Sequence, residues 1–259
     1  MKMVKKVLIG AVALAAILTL ASCGKKNDTN KAIKGSGDNW TVDYTNDATE
    51  NYRAYRSTGL KHAGAIVKVT FNKDGDPEKS KMGVIFGLEE KDGKSNFNLI
   101  GLAADGTYYV STFKNIEDIQ ANNFGATPNA ASGPTEKEWV PLDDGEKVTL
   151  KDDGNGNKYT YVMYRAVATG QYQWMIGDLS EANLNAFDSN TGSFGTSETS
   201  VLTSVLTAGG AFDEIDDAFE PTTNVPQHQI SFYAMIRPGK HLVGSWNVAK
   251  KYKEAEDIE

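Results

Sequence analysis

The stretch "GAIVKVTF", residues 64–71, decides the fold. Ile66, Lys68 and Thr70 alternate with Val67, Val69 and Phe71. This period of two is the pattern of a β-strand, in which successive side chains lie on opposite faces. The turn residues "KDGDP" at 73–77 end the run. The stretch therefore predicts one strand of an antiparallel sheet.

The same combination of a short strand-like run and a turn recurs along the chain. Further runs lie at residues 82–88, 96–102, 107–113, 147–151, 158–167, 171–176, 229–236 and 241–246. Short strands at this spacing are typical of sandwiches and barrels rather than of βαβ units. We therefore predict a mainly β protein: an antiparallel β-sandwich (jelly roll) with a few short inserted helices.

Helix signals are few. Asn115 is a candidate N-cap for "IEDIQANN" at 116–123. The sequence Asp178-Leu179-Ser180-Glu181 resembles a capping box that opens a short helix to Phe187. Residues 199–208 carry apolar side chains at helical spacing.

One segment carries a family resemblance. The stretch "KMGVIFGLEEKDGKSNFNLIGLAADGTYYVSTFKN", residues 81–115, resembles the middle strands of concanavalin A-like (laminin G-like) jelly rolls. The resemblance implies two antiparallel sheets packed face to face, a fold often used to bind sugars or proteins. It places none of that family's calcium or sugar ligands on this chain.

The N-terminus reads as an export signal. Three lysines in the first six residues precede an uncharged run at 7–20, which at 14 residues is short for a membrane span. Leu20-Ala21-Ser22-Cys23 then resembles the lipobox of bacterial lipoproteins. The resemblance implies cleavage before Cys23 and acylation of Cys23, the only cysteine of the chain. A plain secreted protein with a cysteine beside its cleavage site is the alternative.

These features divide the chain into three parts. Residues 1–22 are predicted to be a signal peptide, 23–39 a lipid-anchored flexible tether and 40–259 a single β-sandwich domain. The expected location is the outer membrane or cell surface, facing the periplasm or the exterior. Loss of residues 1–22 leaves 24 basic against 34 acidic residues, a net charge of −10. Such a charge disfavours nucleic acid as a partner.

The acidic run "FDEIDDAFE" at 212–220 is the sharpest enzymatic candidate. Glu214 and Asp216 resemble the first half of the Glu-x-Asp motif of jelly-roll glucanases, which use two carboxylates as nucleophile and acid/base. Glu220 departs from that motif, because the second glutamate belongs two or three residues after the aspartate. The alternative is the solvated face of a short helix.

A second polar stretch has the alternation of a calcium loop. Asp153, Asn155 and Asn157 lie in "KDDGNGNK" at 151–158, but Lys158 and Tyr164 occupy the positions where an EF-hand needs Gly and Glu. An Asx/Gly-rich hairpin turn is the favoured interpretation. We therefore predict no cofactor, with calcium left open at this turn.

Aromatic side chains supply the remaining hint. Tyr159 and Tyr161 alternate on one predicted strand, and Tyr172 and Trp174 on the next, near Arg165. Sugars stack on such rings, but aromatics at period two also build a sandwich core. Trp174, Tyr172 and Arg165 are the candidate ligand-binding residues.

Together these patterns favour a binding protein over an enzyme. We expect a lipid-anchored cell-envelope protein that contacts the membrane through its lipid and recognises a carbohydrate or a protein partner. A jelly-roll type glycoside hydrolase and a structural envelope lipoprotein are the alternatives. The sequence leaves the oligomeric state open.

Overall fold

The computed structural model describes residues 32–49, 51–78, 80–91, 94–117, 147–166, 172–197, 201, 210–212 and 228–254. Their strands are β1 (Ile33–Ser36), β2 (Asn39–Thr45), β3 (Tyr52–Phe71), β4 (Lys81–Lys91), β5 (Lys94–Ala103), β6 (Tyr108–Glu117), β7 (Lys151–Asp152), β8 (Lys158–Ala166), β9 (Tyr172–Gly177), β10 (Gly210–Phe212), β11 (His228–Ile236) and β12 (His241–Glu254). Helix α1 (Glu181–Ala186) and a 3₁₀ turn (Gly195–Ser197) follow β9.

The strands form a curled antiparallel sheet, which confirms the predicted mainly β, sandwich-type fold. Within the described residues every strand pairs antiparallel with its neighbours. The main path runs β1-β2-β12-β3-β11-β4-β5-β6, and β8 joins it at β3, followed by β9 and β10. Residues 104–106 form the turn between the paired strands β5 and β6, whereas the turn at 237–239 leads from β11 to β12, which lie on either side of β3.

Strand β3 divides this sheet into two layers. Its first half, from Tyr52 to His62, pairs with β11, and its second half, residues 64–71, pairs with β8. Strand β12 follows the opposite edge, since Lys68 faces Tyr161 of β8 on one side and Asn247 of β12 on the other. The first layer is therefore β1-β2-β12-β3-β8-β9-β10, with the short strand β7 also paired with β8, and the second is β3-β11-β4-β5-β6.

Aromatic rings join the two layers. Phe86 of β4 stacks on Tyr164 of β8 with ring centroids 4.4 Å apart. Phe232 of β11 stacks on Trp246 of β12 at 5.2 Å. All four rings are almost completely buried in one hydrophobic cluster. Because large aromatic side chains bury much apolar surface, these contacts stabilise the packing of one layer on the other.

The outer face of the second layer is also buried. A separate cluster there contains Tyr55, Ile85, Phe97, Leu99, Phe113, Ile116, Tyr233 and Met235. Phe97 and Phe113 stack at 4.9 Å within it. Strands of this layer are therefore apolar on both faces and do not show simple alternation.

Two local predictions need correction. The predicted tether at 23–39 is too long, because β1 begins at Ile33, which is buried in the core and pairs with Val42 of β2. The predicted helix at 116–123 does not begin after Asn115, because β6 continues to Glu117 in register with β5. Residues 118–123 lie outside the described part of the chain, as do residues 202–208 of the third predicted helix.

The predicted helix after β9 is present, with a different cap. Helix α1 begins after Ser180, whose hydroxyl accepts a hydrogen bond from the Asn183 backbone N–H. The Asn183 side chain in turn accepts one from the Ser180 N–H. The capping box is therefore Ser180 with Asn183, not Asp178 with Glu181.

Two substitutions in the core distinguish the contribution of ring packing to stability from that of a buried hydroxyl group. We expect Phe86→Ala to lower the free energy of unfolding by about 3–5 kcal/mol, because it removes a ring that joins the layers. Tyr164→Phe should cost less than about 1 kcal/mol or stabilise the fold, since no described group hydrogen-bonds its buried hydroxyl. Urea unfolding of both variants measures the two free energies of unfolding. Equal losses of stability in the two variants would contradict the packing of Phe86 between the layers.

Candidate functional site

The three candidate ligand-binding residues of β8 and β9 do not share a face. Tyr172 is 4% exposed and packs edge-on against Phe86 in the core. Trp174 is half-buried and also turns inward, with its ring 6.4 Å from that of Tyr108 on the second layer. Arg165 lies on the opposite, outer face of the first layer, as the register places it beside Gln173. The structure therefore brings no joint site together from these residues.

Arg165 has a structural environment. Its Nε donates to the Gln173 side chain at 2.9 Å, and its Nη1 donates to the Gly192 carbonyl. Gly192 lies so close to the Tyr252 ring that a Cβ there would be 2.8 Å from it. These contacts hold the turn at 188–193 against the outer face of the first layer and cover that end of it.

The candidate calcium residues form a self-contained turn. Asp153 accepts hydrogen bonds from the backbone N–H groups of Asn155 and Asn157, and its second oxygen accepts from the Asn157 side chain at 2.7 Å. The Asn157 side chain holds the pKa of Asp153 below its usual range, and the two backbone bonds and the nearby Lys68 ammonium act in the same direction. Neighbouring Asp152 accepts from Gly154, Gly156 and Lys158. These bonds use the carboxylates to shape the hairpin between β7 and β8.

Other predicted residues fall elsewhere. Cys23 and the carboxylates Glu214, Asp216 and Glu220 lie outside the described residues. Within the described ranges, no group of three or more His, Cys, Asp and Glu side chains is placed to hold a metal ion.

A cationic group occupies the outer face of the second layer. Arg53 and Lys81 flank Met235 on neighbouring strands, so all three side chains share this face. Burial, together with the charges of Arg237 and Arg53, lowers the pKa of Lys81 to about 8. Arg53 is only 9% exposed, so a large ligand has little access to it.

The uncovered part of the first layer's outer face offers a different surface. Two rows of side chains cross β2, β12, β3 and β8 there. Register pairs Thr41 with Ser245, Thr70 and Tyr159 in the first row, and Asn39 with Asn247, Lys68 and Tyr161 in the second. We call these eight residues the platform. All of them are exposed or half-buried.

The sequence pattern explains why the platform faces outward. On β2, Trp40 and Val42 enter the core, so Asn39 and Thr41 point away from it. On β8, Thr160 and Val162 are buried, whereas the alternate residues Tyr159 and Tyr161 are half-buried and face outward. At about 4.8 Å between strands, each row is about 14 Å wide.

The aromatic end of the platform has a defined geometry. The Tyr159 and Tyr161 rings meet edge to face, with centroids 6.0 Å apart and planes at 87°. The Lys68 ammonium lies 3.9 Å from the centroid of the Tyr159 ring, within the range of a cation–π contact. Partial burial raises the pKa of Tyr161, and Tyr159 and Asp178 add to this. Its phenol is therefore neutral at pH 7 and can both donate and accept a hydrogen bond.

The rest of the platform consists of amides and hydroxyls. The Asn247 side-chain N–H donates to the Asn39 side-chain oxygen at 2.8 Å. This bond uses one donor and one acceptor of the amide pair, whereas each amide group carries two donors and two lone pairs. Thr41, Thr70 and Ser245 add hydroxyls beside it. The platform thus combines aromatic rings with many small polar groups on a rigid sheet.

Comparisons with known proteins add no relative. No protein-family model matches the chain, and no curated protein matches its sequence. The resemblances to lipoprotein signals and to concanavalin A-like jelly rolls therefore stay predictions.

The sequence reveals only part of the platform. The alternation of Tyr159 and Tyr161 is visible in it, whereas their neighbours come from strands far away in the chain. Asn247 and Lys68 are 179 positions apart in sequence and adjacent in the sheet. Only the register of β12 on β3 reveals that they share a surface.

Proposed function

We propose that this protein is a lipid-anchored cell-envelope binding protein whose platform recognises a carbohydrate. The observation that carries the proposal is the platform itself: two tyrosines beside a field of amide and hydroxyl groups, uncovered on a rigid sheet. Sugar rings present apolar faces that pack on aromatic rings, and their hydroxyls pair with amides and hydroxyls. The surface thus provides both kinds of contact that a saccharide needs.

A protein partner fits this surface less well. The core of a protein–protein interface is usually a desolvated cluster of large apolar and aromatic anchors. The platform has two aromatic residues and six polar or charged ones, none of them a large aliphatic side chain. The larger apolar side chains of this outer face lie outside the platform, in the neighbouring, covered part of the face.

The lipid anchor rests on the N-terminal sequence. Leu20-Ala21-Ser22-Cys23 directly follows the apolar run, and two or more acyl chains hold a protein stably at a membrane. Within the described residues no helix is long and apolar enough to cross a membrane. The tether then separates the membrane from β1 by about ten residues.

Tyr161→Ala tests the platform. We expect it to weaken binding to a glycan selected on a glycan array at least about tenfold, equivalent to about 1.4 kcal/mol, because it removes the ring on which the sugar packs. Tyr161→Phe keeps the ring and should retain most of the affinity. Tyr161→Phe should keep the wild-type Tm, whereas Tyr161→Ala should lower it, because the half-buried ring also packs against the hydrophobic core. Binding is therefore compared well below the Tm of each variant.

Two results would count against a carbohydrate ligand. A blank array at high concentration of the intact protein would contradict it. Cross-links from platform positions to an envelope protein, together with the blank array, would favour the protein-partner alternative.

Cys23→Ser tests the anchor. We expect the wild-type protein to sediment with membranes and to incorporate a labelled fatty acid, whereas the variant incorporates none and leaves the membrane fraction. The control variant Ser36→Ala, in β1, should incorporate as much labelled fatty acid as the wild type. Membrane attachment of Cys23→Ser equal to that of wild type would contradict lipidation at this residue.

A further inference from the structure

Lysines border the platform along the direction of its rows. Lys34 of β1 pairs with Thr41 and so extends the first row beyond β2. Lys151 of β7 pairs with Tyr159 and extends the same row at the other end. Lys68 lies between them in the second row. Three ammonium groups are thus distributed across the strands.

The spacing of these lysines follows from the strand order. Strand β1 is three strands from β3, which carries Lys68, and β7 is two strands further on. At about 4.8 Å per strand, the gaps between the lysine-bearing strands are about 14 and 10 Å. A compact anion would contact one of these lysines, whereas an extended chain can reach all three.

Acidic groups lie near the lysines at both ends of the platform, including Asp43, which is exposed on the same face of β2 as Thr41 and lies 2.7 Å from the His241 ring nitrogen. Lys151 forms an ion pair with Asp178, and Lys68 is close enough to Asp153 to help lower the pKa of that carboxyl. At the other end, Asp38 pairs with Lys251 at 3.0 Å. Lys34 itself is exposed. Cationic side chains on this surface contrast with the net charge of −7 of the whole chain.

We propose that the platform binds an extended acidic polysaccharide that lies across the strands, with its anionic groups beside Lys34 and Lys68. This inference rests on the proposed carbohydrate-binding function and specifies its ligand class. The amides, hydroxyls and tyrosines between the lysines contact the sugar rings. The lysines place positive charge beside the anionic groups of the polymer, which favours an acidic polysaccharide over a neutral one.

The test compares matched polymers. Intact protein in mild detergent is titrated with polygalacturonate and with heparin, and with methyl-esterified polygalacturonate and dextran as neutral counterparts. We expect at least about tenfold tighter binding to an acidic polymer than to its neutral counterpart, with the difference falling as salt is raised.

Lysine variants test whether Lys34 and Lys68 produce the preference for the acidic polymer. Lys34→Gln combined with Lys68→Met should reduce affinity for the acidic polymer about tenfold, whereas Lys68→Arg should retain it. Lys147→Gln is the control, since Lys147 pairs with Asp105 away from the platform and should bind like wild type.

The outcomes distinguish the two proposals. Equal binding of acidic and neutral polymers, with no effect of the lysine variants, would overturn the acidic-ligand inference and leave carbohydrate binding intact. No binding to any of the four polymers would overturn this inference. In that case, binding to an uncharged glycan on the array would still support the proposed function, and a blank array would contradict it as well.

Discussion

The pairing of β3 with different partners along its length is the constraint on which the rest of the structure depends. One 20-residue strand is hydrogen-bonded to β11 over its first half and to β8 over its second. The two partners follow one another along the same edge of β3, and the contacts between β4 and β8 show that the sheet folds there into two layers. Phe86, Tyr164, Phe232 and Trp246 then fill the space between the layers.

This division limits the surfaces that a ligand can reach in the described part of the chain. Much of the second layer is buried on both faces, and the turn at 188–193 covers one end of the first layer. The platform is what stays accessible on that layer. Its side chains are held by strands whose inward neighbours are fixed in the core, so little conformational freedom is lost when a ligand binds.

Much of the fold was predictable because most strands carry their own signal. Alternation in residues 64–71 and turns such as "DDGNGN" at 152–157 predicted strands that the structure contains. The first half of β3 was missed, because it carries Gly59 and polar residues and lies in a layer that is buried on both faces. Strand β1 was missed as well, since its glycine and polar residues look like linker and only Ile33 enters the core.

The candidate site was less predictable for a physical reason. A sequence shows which residues alternate on one strand, but not which distant strand lies beside it. Tyr172 and Trp174 had the same alternation as Tyr159 and Tyr161, yet the first pair turns inward and the second outward. Which parity faces solvent depends on the register of β8 between β3 and β9, and this is a property of the whole sheet.

The most direct measurement is hydroxyl-radical footprinting of the intact protein, with and without its saccharide ligand, read by mass spectrometry. Tyr159 and Tyr161 report on the platform, and half-buried Trp174 reports on the edge between the layers. We expect the ligand to lower oxidation of both tyrosines and to leave oxidation of Trp174 unchanged. Protection of Trp174 without protection of the tyrosines would place the ligand between the layers and contradict binding at the platform.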